Sequence, residues 1–576
     1  MAPCMADESS DHNDPSISPS HPIQVIITGR GPHNRMGTHQ APTSQPSGVS
    51  TKRAFWFAAV VTLVIFLTGI YFPYFLVDSW TYFELSKSIF KDFYHVNTLR
   101  QFESAPQYSN AFPPLWPVLL ALARGLADLG IYTGYVLNFF VCIGLLAALM
   151  WLFRRMDFPG WVGAACYLCL LGFPLFLAEA VGAKTIPLAV TLLTLTFVIW
   201  VRDPITMPRV ALAGLLMGLA CLNRFDASAT AGVIGLVFAA RIYLSERRFR
   251  RGIAAAAIYF AVFGAVLSPW VAYGIRHFGR PVPSPDMRQL LLARGGLTLD
   301  YYEVPPPSDL TQHPRQWIAE FLFYKVPKAA YGFLESAVES PLPILLAAVL
   351  VVWGATGTPP LPTPAVRFSA LALGLIPVML LPASLVGFRE GRYYSGTVLI
   401  LFAVLLAVLV SLTPGAWGSR RSTLLLLVTV LPLCPAIVRP PLSNLSHLFS
   451  PADVMIPLSP TPEMHQVTDA VHRDSGGQPH RLILTIGYIA SARYGAMTGE
   501  PVTLTPTIKN GTFAAFARHW HVTHVYNPPN KSWVGPVPIR NPASVMREID
   551  TPGVELIPLD LPGLYRIKLT SQVPTP

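Results

Sequence analysis

The first candidate for chemistry in this sequence is an acidic residue placed just after a long apolar segment. Residues 54–72 are long enough to span a bilayer, and Asp78 follows them in the run YFPYFLVDSWTYFELSKSIF. Placing an ionisable group at a membrane costs free energy, and such groups usually serve a function. Asp78 is therefore a candidate functional residue by default. At the membrane boundary, water, a metal ion and a lipid headgroup all reach a carboxylate, which can accept a proton or hold a divalent cation.

Two other pairs of charged residues lie where predicted helices begin or end. Arg389 and Arg392 lie close together in REGRYYSG, where Glu390 between them is a group that balances the charge. Arg224 and Asp226 lie at a junction between two predicted helices. A simple ion pair between them is the alternative to a role in binding.

Three further features have ordinary structural explanations. Glu179 and Lys184 flank a turn between two predicted helices, and we expect a solvated turn there. Tyr82 follows Asp78 by four residues and is typical of an aromatic anchor at a membrane interface. Near the end of the chain, RHWHVTHV contains three histidines, but no carboxylate or cysteine in the run completes a set of zinc ligands.

The composition predicts a polytopic membrane protein. Of the 576 residues, 52% are hydrophobic and only 13% are charged, which is too apolar for an ordinary soluble protein. The formal net charge of +11 is attributed to the cytoplasmic loops of a membrane protein, where Lys and Arg concentrate. It does not indicate nucleic-acid binding. Five of the six cysteines lie inside apolar segments, so no disulfide framework is predicted.

The apolar segments predict about eleven transmembrane helices, since a bilayer needs about 20 residues per span. They lie at about 54–72, 131–153, 161–181, 185–201, 209–223, 227–244, 252–275, 341–355, 368–387, 396–413 and 422–438. The segment 112–130 is also apolar, but a full crossing there would put later basic clusters on the wrong side. We interpret it as an interfacial helix that closes the first external loop.

With a cytoplasmic N-terminus, the basic clusters of the predicted loops all fall on one side of the membrane. This topology gives a disordered cytoplasmic tail at 1–52 and a transmembrane domain at 53–438. Two external loops, at 73–130 and 276–340, belong to that domain. Residues 439–576 alternate short strand patterns with helical ones, which predicts a small external α/β domain. The fold class is therefore mainly α.

The run from Asp78 to Tyr82 resembles the first external loop of the membrane glycosyltransferases of the GT-C fold. That superfamily includes the protein mannosyltransferases and the aminoarabinose transferases, whose pattern there is D-E-x-x-Y. This chain has D-S-x-x-Y, with Ser79 in place of the glutamate. Four later segments resemble the superfamily in the same order: NAFPPLWPVLLAL, GLLMGLACLNRFDA, REGRYYSGTVLILFAVLL and RYGAMTGEPVTL.

The resemblance implies a hexosyl- or pentosyltransferase that moves a sugar from a polyprenyl-phosphate donor to a lipid, glycan or protein acceptor at the external (periplasmic or lumenal) face. Asp78 would be the base or a ligand of Mg²⁺ or Mn²⁺. Arg392, and after it Arg389, would bind the phosphate, because a guanidinium matches phosphate oxygens bidentately. Tyr82 and Arg224 are further candidates for substrate binding. A multi-pass protein of the plasma (inner) membrane, with its C-terminus external, is expected.

Two other classes of function stay open. The first is a flippase or transporter for a lipid-linked glycan, although we find no internal repeat of the kind that transporters often contain. The second is a noncatalytic membrane subunit, which the departure at Ser79 favours.

Overall fold

The apolar segments form helices that run back and forth between two ends of the molecule. The structure is a computed structural model that describes residues 48–69, 77–91, 98–99, 112–279, 281, 301–303, 314–356, 361–386, 394–412, 460–486, 488–503, 507–510, 513–529 and 542–570. The predicted span at 422–438 and both Arg389 and Arg392 lie outside these residues.

Each of the first ten predicted spans coincides with helix. In chain order the helices are α1 (Gly48–Gly69), α2 (Val77–Ser88), α3 (Leu115–Leu126), α4 (Tyr132–Arg155), α5 (Gly160–Leu171), α6 (Pro174–Val181), α7 (Ile186–Trp200), α8 (Met207–Asn223), α9 (Ala227–Glu246), α10 (Phe249–Phe278), α11 (Pro314–Glu320), α12 (Val326–Val338), α13 (Leu342–Thr356), α14 (Thr363–Val386) and α15 (Ser395–Leu412). A π-helical turn, Phe321–Lys325, joins α11 to α12.

Among the described residues, 6 helices are long and apolar enough to cross a membrane, or up to 8 if each of two bent pairs is one span. The two bends are 86° between α5 and α6 and 75° between the helix that ends at Val338 and α13. The helices α7 and α8 are apolar but shorter than a usual span. The protein is thus a polytopic helical membrane protein.

The helices α4 and α5 approach so closely that one position of α5 has no room for a side chain. A Cβ atom at Gly163 would lie 2.5 Å from the Leu149 carbonyl oxygen and from the backbone of Met150. Gly144, by contrast, has nothing within 4 Å of its Cβ position.

Replacing Gly163 by alanine is therefore expected to destabilise the protein by roughly 1–3 kcal/mol, since overpacking forces backbone shifts. The measurement is thermal unfolding of the purified full chain in detergent. Gly144→Ala is the matched control and should be neutral or slightly stabilising, because alanine favours a helix over glycine. Equal unfolding temperatures for the two variants would contradict the close packing.

The helix α3 is 12 residues long, or about 18 Å, which is too short to cross the bilayer. One face packs through Trp116 and Leu120 into a cluster with α2 and the end of α10. Leu126, at its C-terminal end, is 92% exposed. This geometry suits the interfacial helix expected in the segment 112–130.

The C-terminal part of the chain forms an α/β domain around a six-stranded sheet. Its strands are β1 (Thr98–Leu99), β3 (Leu482–Leu484), β4 (Val502–Thr503), β6 (His524–Tyr526), β7 (Val554–Pro558) and β8 (Leu564–Leu569), in the order β1-β4-β3-β6-β8-β7. The helices are α16 (Pro462–Ser475), α17 (Tyr488–Thr498), α18 (Phe513–Trp520) and α19 (Pro542–Ile549). The alternation of short strands and helices expected in residues 439–576 is confirmed by these elements, although the sequence did not indicate α17 and α19.

Strands from both long loops pair with the C-terminal domain. The strand β1 comes from the loop between α1 and α3 and pairs in parallel with β4. A second strand, β2 (Tyr301–Glu303), follows α10 and pairs in parallel with β5 (Thr507–Asn510). The two loops and the domain therefore lie at the same end of the helices.

Basic residues collect at the other end. The helix α4 begins where Gly134 packs against Ala183 and ends at Arg154 and Arg155. The helix α7 begins next to the same turn and leads to Asp203, whose carboxylate lies 2.6 Å from Arg241 and also pairs with Arg367.

Candidate functional site

Asp78 stands in the first turn of α2, where a carboxylate is stabilised by the positive end of the helix dipole. The next eight residues of this helix are all buried, and Asp78 itself is partly exposed. The Ser79 hydroxyl donates a hydrogen bond of 2.6 Å to the Gly182 carbonyl. The residue that departs from the glutamate of the family pattern therefore faces inward and holds α2 against the turn between α6 and α7.

That turn, residues 182–185, is buried and is held by side chains from four helices. Its carbonyl groups accept hydrogen bonds from Ser79, from Trp116 on α3 (3.1 Å to Ala183), from Asn138 on α4 (3.1 Å to Lys184) and from Asn223 on α8 (2.8 Å to Thr185). Ala183 has a positive φ of 55°, which is unusual for a residue with a Cβ. Buried carbonyl groups need such partners, and here they fix the turn beside Asp78.

The prediction of a solvated turn at Glu179 and Lys184 was wrong. Lys184 Nζ lies 2.7 Å from Glu179 Oε1, and the two side chains are only 4% and 5% exposed. The short helix α6 turns by 86° from α5, and this bend carries both residues into the protein rather than to its surface. The sequence alone did not indicate the bend, so it did not indicate the buried pair.

Tyr82 is a buried member of the site and not a surface anchor. It lies one turn after Asp78 on α2, and its side chain hydrogen-bonds with that of Thr185. Burial, and after it the negative charge of Asp78, raises the pKa of the Tyr82 phenol. The phenol is therefore neutral and serves as a hydrogen-bonding group between α2 and the turn.

Arg224 connects this polar cluster to Asp226. Its guanidinium pairs with the Asp226 carboxylate at 3.0 Å, as one of the two interpretations of the sequence expected. Arg224 Nη1 also lies 3.4 Å from the Thr185 hydroxyl, the same hydroxyl group that Tyr82 contacts. Tyr82 and Arg224 thus meet at the Thr185 side chain, and Asp78 lies one helical turn before Tyr82 on α2. Arg389 and Arg392 fall outside the described residues.

An apolar cleft opens beside Arg224. It has a free volume of about 560 Å³, part of it open to solvent, and lies between α7, α8, α9 and the ends of α14 and α15. The apolar lining includes Ile186, Ala189, Val190, Leu193, Met217, Ala220, Ala227 and Met379. Its polar groups are those of Arg224, Asp226, Thr230 and Ser395. The cleft suits a hydrocarbon chain that carries an anionic end.

The opposite side of α2 contacts the C-terminal domain. Lys87 Nζ donates a hydrogen bond of 2.6 Å to the Ala496 carbonyl on α17. The guanidinium of Arg493, on the same helix, lies 5.8 Å from the centre of the Trp80 ring, and burial lowers the pKa of Arg493 to about 10. The helix of Asp78 is therefore held between the turn at 182–185 and α17.

The described residues do not supply a second and a third ligand for a metal ion at Asp78. Among them, no two further histidine, cysteine or carboxylate ligands come within 4.8 Å of one another and of Asp78. Two acids of this region, Glu179 and Asp226, pair with Lys184 and Arg224. The divalent cation suggested for Asp78 stays a prediction.

Comparisons with known proteins identify the fold. No protein-family model and no curated protein matches the sequence. The structure is similar to that of ArnT from Cupriavidus metallidurans bound to undecaprenyl phosphate, with a TM-score of 0.50 and 13% identity over 90% of this chain and 98% of that chain. The chain therefore has the same fold as that protein, the GT-C fold that the sequence predicts.

Two more distant structures also match. The oligosaccharyltransferase AglB from Archaeoglobus fulgidus, in complex with an inhibitory peptide and a dolichol-phosphate, has a TM-score of 0.43 and 11% identity over 83% of this chain and 69% of that chain. The arabinofuranosyltransferase AftD from Mycobacteria has a TM-score of 0.47 and 13% identity, and the match covers 90% of this chain and 40% of that chain.

Proposed function

We propose that this integral membrane protein is a glycosyltransferase that takes a sugar from a polyprenyl-phosphate donor and transfers it to a lipid, glycan or protein acceptor. The main observation behind the proposal is the position of Arg224. It lines the apolar cleft and also contacts the Thr185 hydroxyl, to which Tyr82, one helical turn from Asp78, is hydrogen-bonded. A lipid chain in the cleft would bring its phosphate to a guanidinium and its sugar towards a carboxylate.

In the proposed reaction, Asp78 accepts the proton of the acceptor hydroxyl or amine as that group attacks the anomeric carbon of the sugar. The bond between the anomeric carbon and the phosphate oxygen breaks, and the polyprenyl phosphate leaves with the bonding electrons. Arg224 offsets the charge that develops on this phosphate. Arg389 and Arg392 are proposed to contribute as well, since Arg392 precedes the cleft residue Ser395 by three positions in the chain.

We place the site at the external face of the plasma (inner) membrane. The two long loops and the C-terminal domain share one end of the helices with Asp78. Arg241 and Arg367 meet Asp203 at the other end. The positive-inside rule favours a cytoplasmic position for that basic end, which supports a cytoplasmic N-terminus and an external C-terminus.

The function is tested by incubating isolated membranes with a radiolabelled polyprenyl-phosphate sugar. Membranes that contain the chain should move label from the donor into acceptor material, whereas membranes without it should not. A transporter would instead move the intact lipid-linked sugar across the bilayer, with no new glycosidic bond. Translocation of that kind without label transfer would overturn the proposal in favour of the transporter.

Replacing Arg224 by glutamine is expected to weaken donor binding by about tenfold or more, since a hydrogen bond to a charged group contributes about 1.5–3 kcal/mol. The measurement is KM and kcat for the donor in the same membranes, and the loss should appear mainly in KM. Arg209→Gln is the matched control, because Arg209 lies near the other end of α8. Equal donor KM values for the two variants would remove Arg224 from the phosphate site.

A further inference from the structure

Three potential metal ligands converge at one corner of the C-terminal domain, away from the groups used above. His472 Nε2 lies 3.1 Å from Glu500 Oε2, and His480 Nε2 lies 2.8 Å from the same oxygen. One donor atom from each of the three residues lies within 4.8 Å of the other two. The three residues come from separate segments of the chain, so no local sequence motif indicates this cluster.

The spacing of the donor atoms is close to that of a tetrahedral zinc site. Zinc bonds to histidine nitrogen and carboxylate oxygen are about 2.0–2.2 Å, which places neighbouring ligand atoms roughly 3.4 Å apart. Both imidazoles already present the same nitrogen to one carboxylate oxygen. Side-chain movements of a few tenths of an ångström would therefore lengthen both nitrogen–oxygen distances to this value and leave room for a cation among the three groups.

Each ligand lies in a helix or next to the end of a helix or strand. His472 is in the last turn of α16, His480 comes just before β3, and Glu500 lies between α17 and β4. The Glu500 backbone N–H donates a hydrogen bond of 3.2 Å to the Thr498 hydroxyl, which fixes the end of α17. The side chains of His480 and Glu500 are each 14% exposed and that of His472 is 53% exposed, so a metal ion can enter from solvent.

We propose that His472, His480 and Glu500 form a binding site for a divalent cation of the zinc class, with a water molecule as the fourth ligand. Two histidines and one carboxylate form a set that zinc uses in proteins, and the carboxylate offsets one of the two positive charges of the cation. A bound ion would join the end of α16 to the end of α17. Since α17 carries the Ala496 carbonyl that Lys87 contacts, the ion would also stiffen the support of α2.

The test uses the purified full chain, freed of any affinity tag and treated with a chelator, which is titrated with Zn²⁺ in competition with a chromophoric chelator. The wild type is expected to bind one equivalent that His480→Ala and Glu500→Gln bind at least about tenfold more weakly. His465→Ala is the matched control, because His465 is exposed on the same helix α16. Co²⁺ in place of Zn²⁺ should give the visible absorption bands of a tetrahedral site.

A second measurement separates loss of the site from loss of the fold. Zn²⁺ should raise the unfolding temperature of the wild type and of His465→Ala, but not that of His472→Ala, whose half-exposed side chain is removed at little cost to packing. Failure of the wild type to bind Zn²⁺, or equal binding by wild type and Glu500→Gln, would overturn the site. Neither result affects sugar transfer as a test of Asp78, because no ligand of the cluster belongs to that site.

Discussion

Replacing Asp78 by asparagine is expected to lower sugar transfer by about 100-fold to 10,000-fold, with the protein present in normal amounts. This is the range that a positioned general base contributes to a reaction. Asparagine keeps the size of the side chain and its place in the first turn of α2, but it cannot accept the proton of the acceptor. The measurement is the rate of label transfer from a polyprenyl-phosphate sugar in membranes that contain equal amounts of each variant.

Asp128→Asn provides the matched control for this prediction. Its carboxylate is 50% exposed and pairs with Arg124 on α3, so its loss should change transfer by less than about twofold. Full activity of the Asp78 variant would remove Asp78 from the chemistry. Failure of the wild type itself to transfer sugar would instead favour the noncatalytic subunit.

Replacing Lys184 by methionine is expected to destabilise the folded protein by about 3–5 kcal/mol. The change leaves the Glu179 carboxylate buried without its cation, and an uncompensated buried charge is costly. Thermal unfolding of the purified protein in detergent measures the effect. A fall in activity is expected to follow, because the same turn contacts Ser79 and Arg224.

The double variant Glu179→Gln with Lys184→Met distinguishes the effect of an unpaired buried charge on stability from the effect of lost packing. Removing both charges should restore much of the lost stability, since a neutral buried pair often costs little. If the single Lys184 variant unfolds at the wild-type temperature, the pair is not buried as described. If the double variant is as unstable as the single one, lost packing and not charge explains the effect.

The apolar segments predicted where the helices lie, because membrane helices must satisfy their backbone hydrogen bonds internally and so appear as continuous apolar runs. The short alternating strands of the C-terminal domain were predicted for a similar reason, from a period of two. Asp78, Tyr82 and Arg224 were selected by residue type and motif; in the structure, Tyr82 and Arg224 both contact the Thr185 side chain.

The buried turn at 182–185 was not predictable in this way. Its conformation depends on hydrogen bonds from Trp116, Asn138 and Asn223, which lie on three different helices. None of these side chains forms a local pattern with the turn. The pairing of the two-residue strand β1 with β4 and the His472–His480–Glu500 cluster were not predictable for the same reason. Only the tertiary fold brings these separate segments together.

The pairing of β1 with β4 has a consequence for the order in which this chain matures. Thr98 and Leu99 leave the ribosome long before Val502 and Thr503, their partners in the sheet, and most of the membrane helices are translated in between. The same holds for β2, whose partner strand begins at Thr507. Pairings between such distant segments form slowly. The helix bundle is therefore inserted first, and the part of the protein that supports Asp78 is completed only when the last domain has been synthesised.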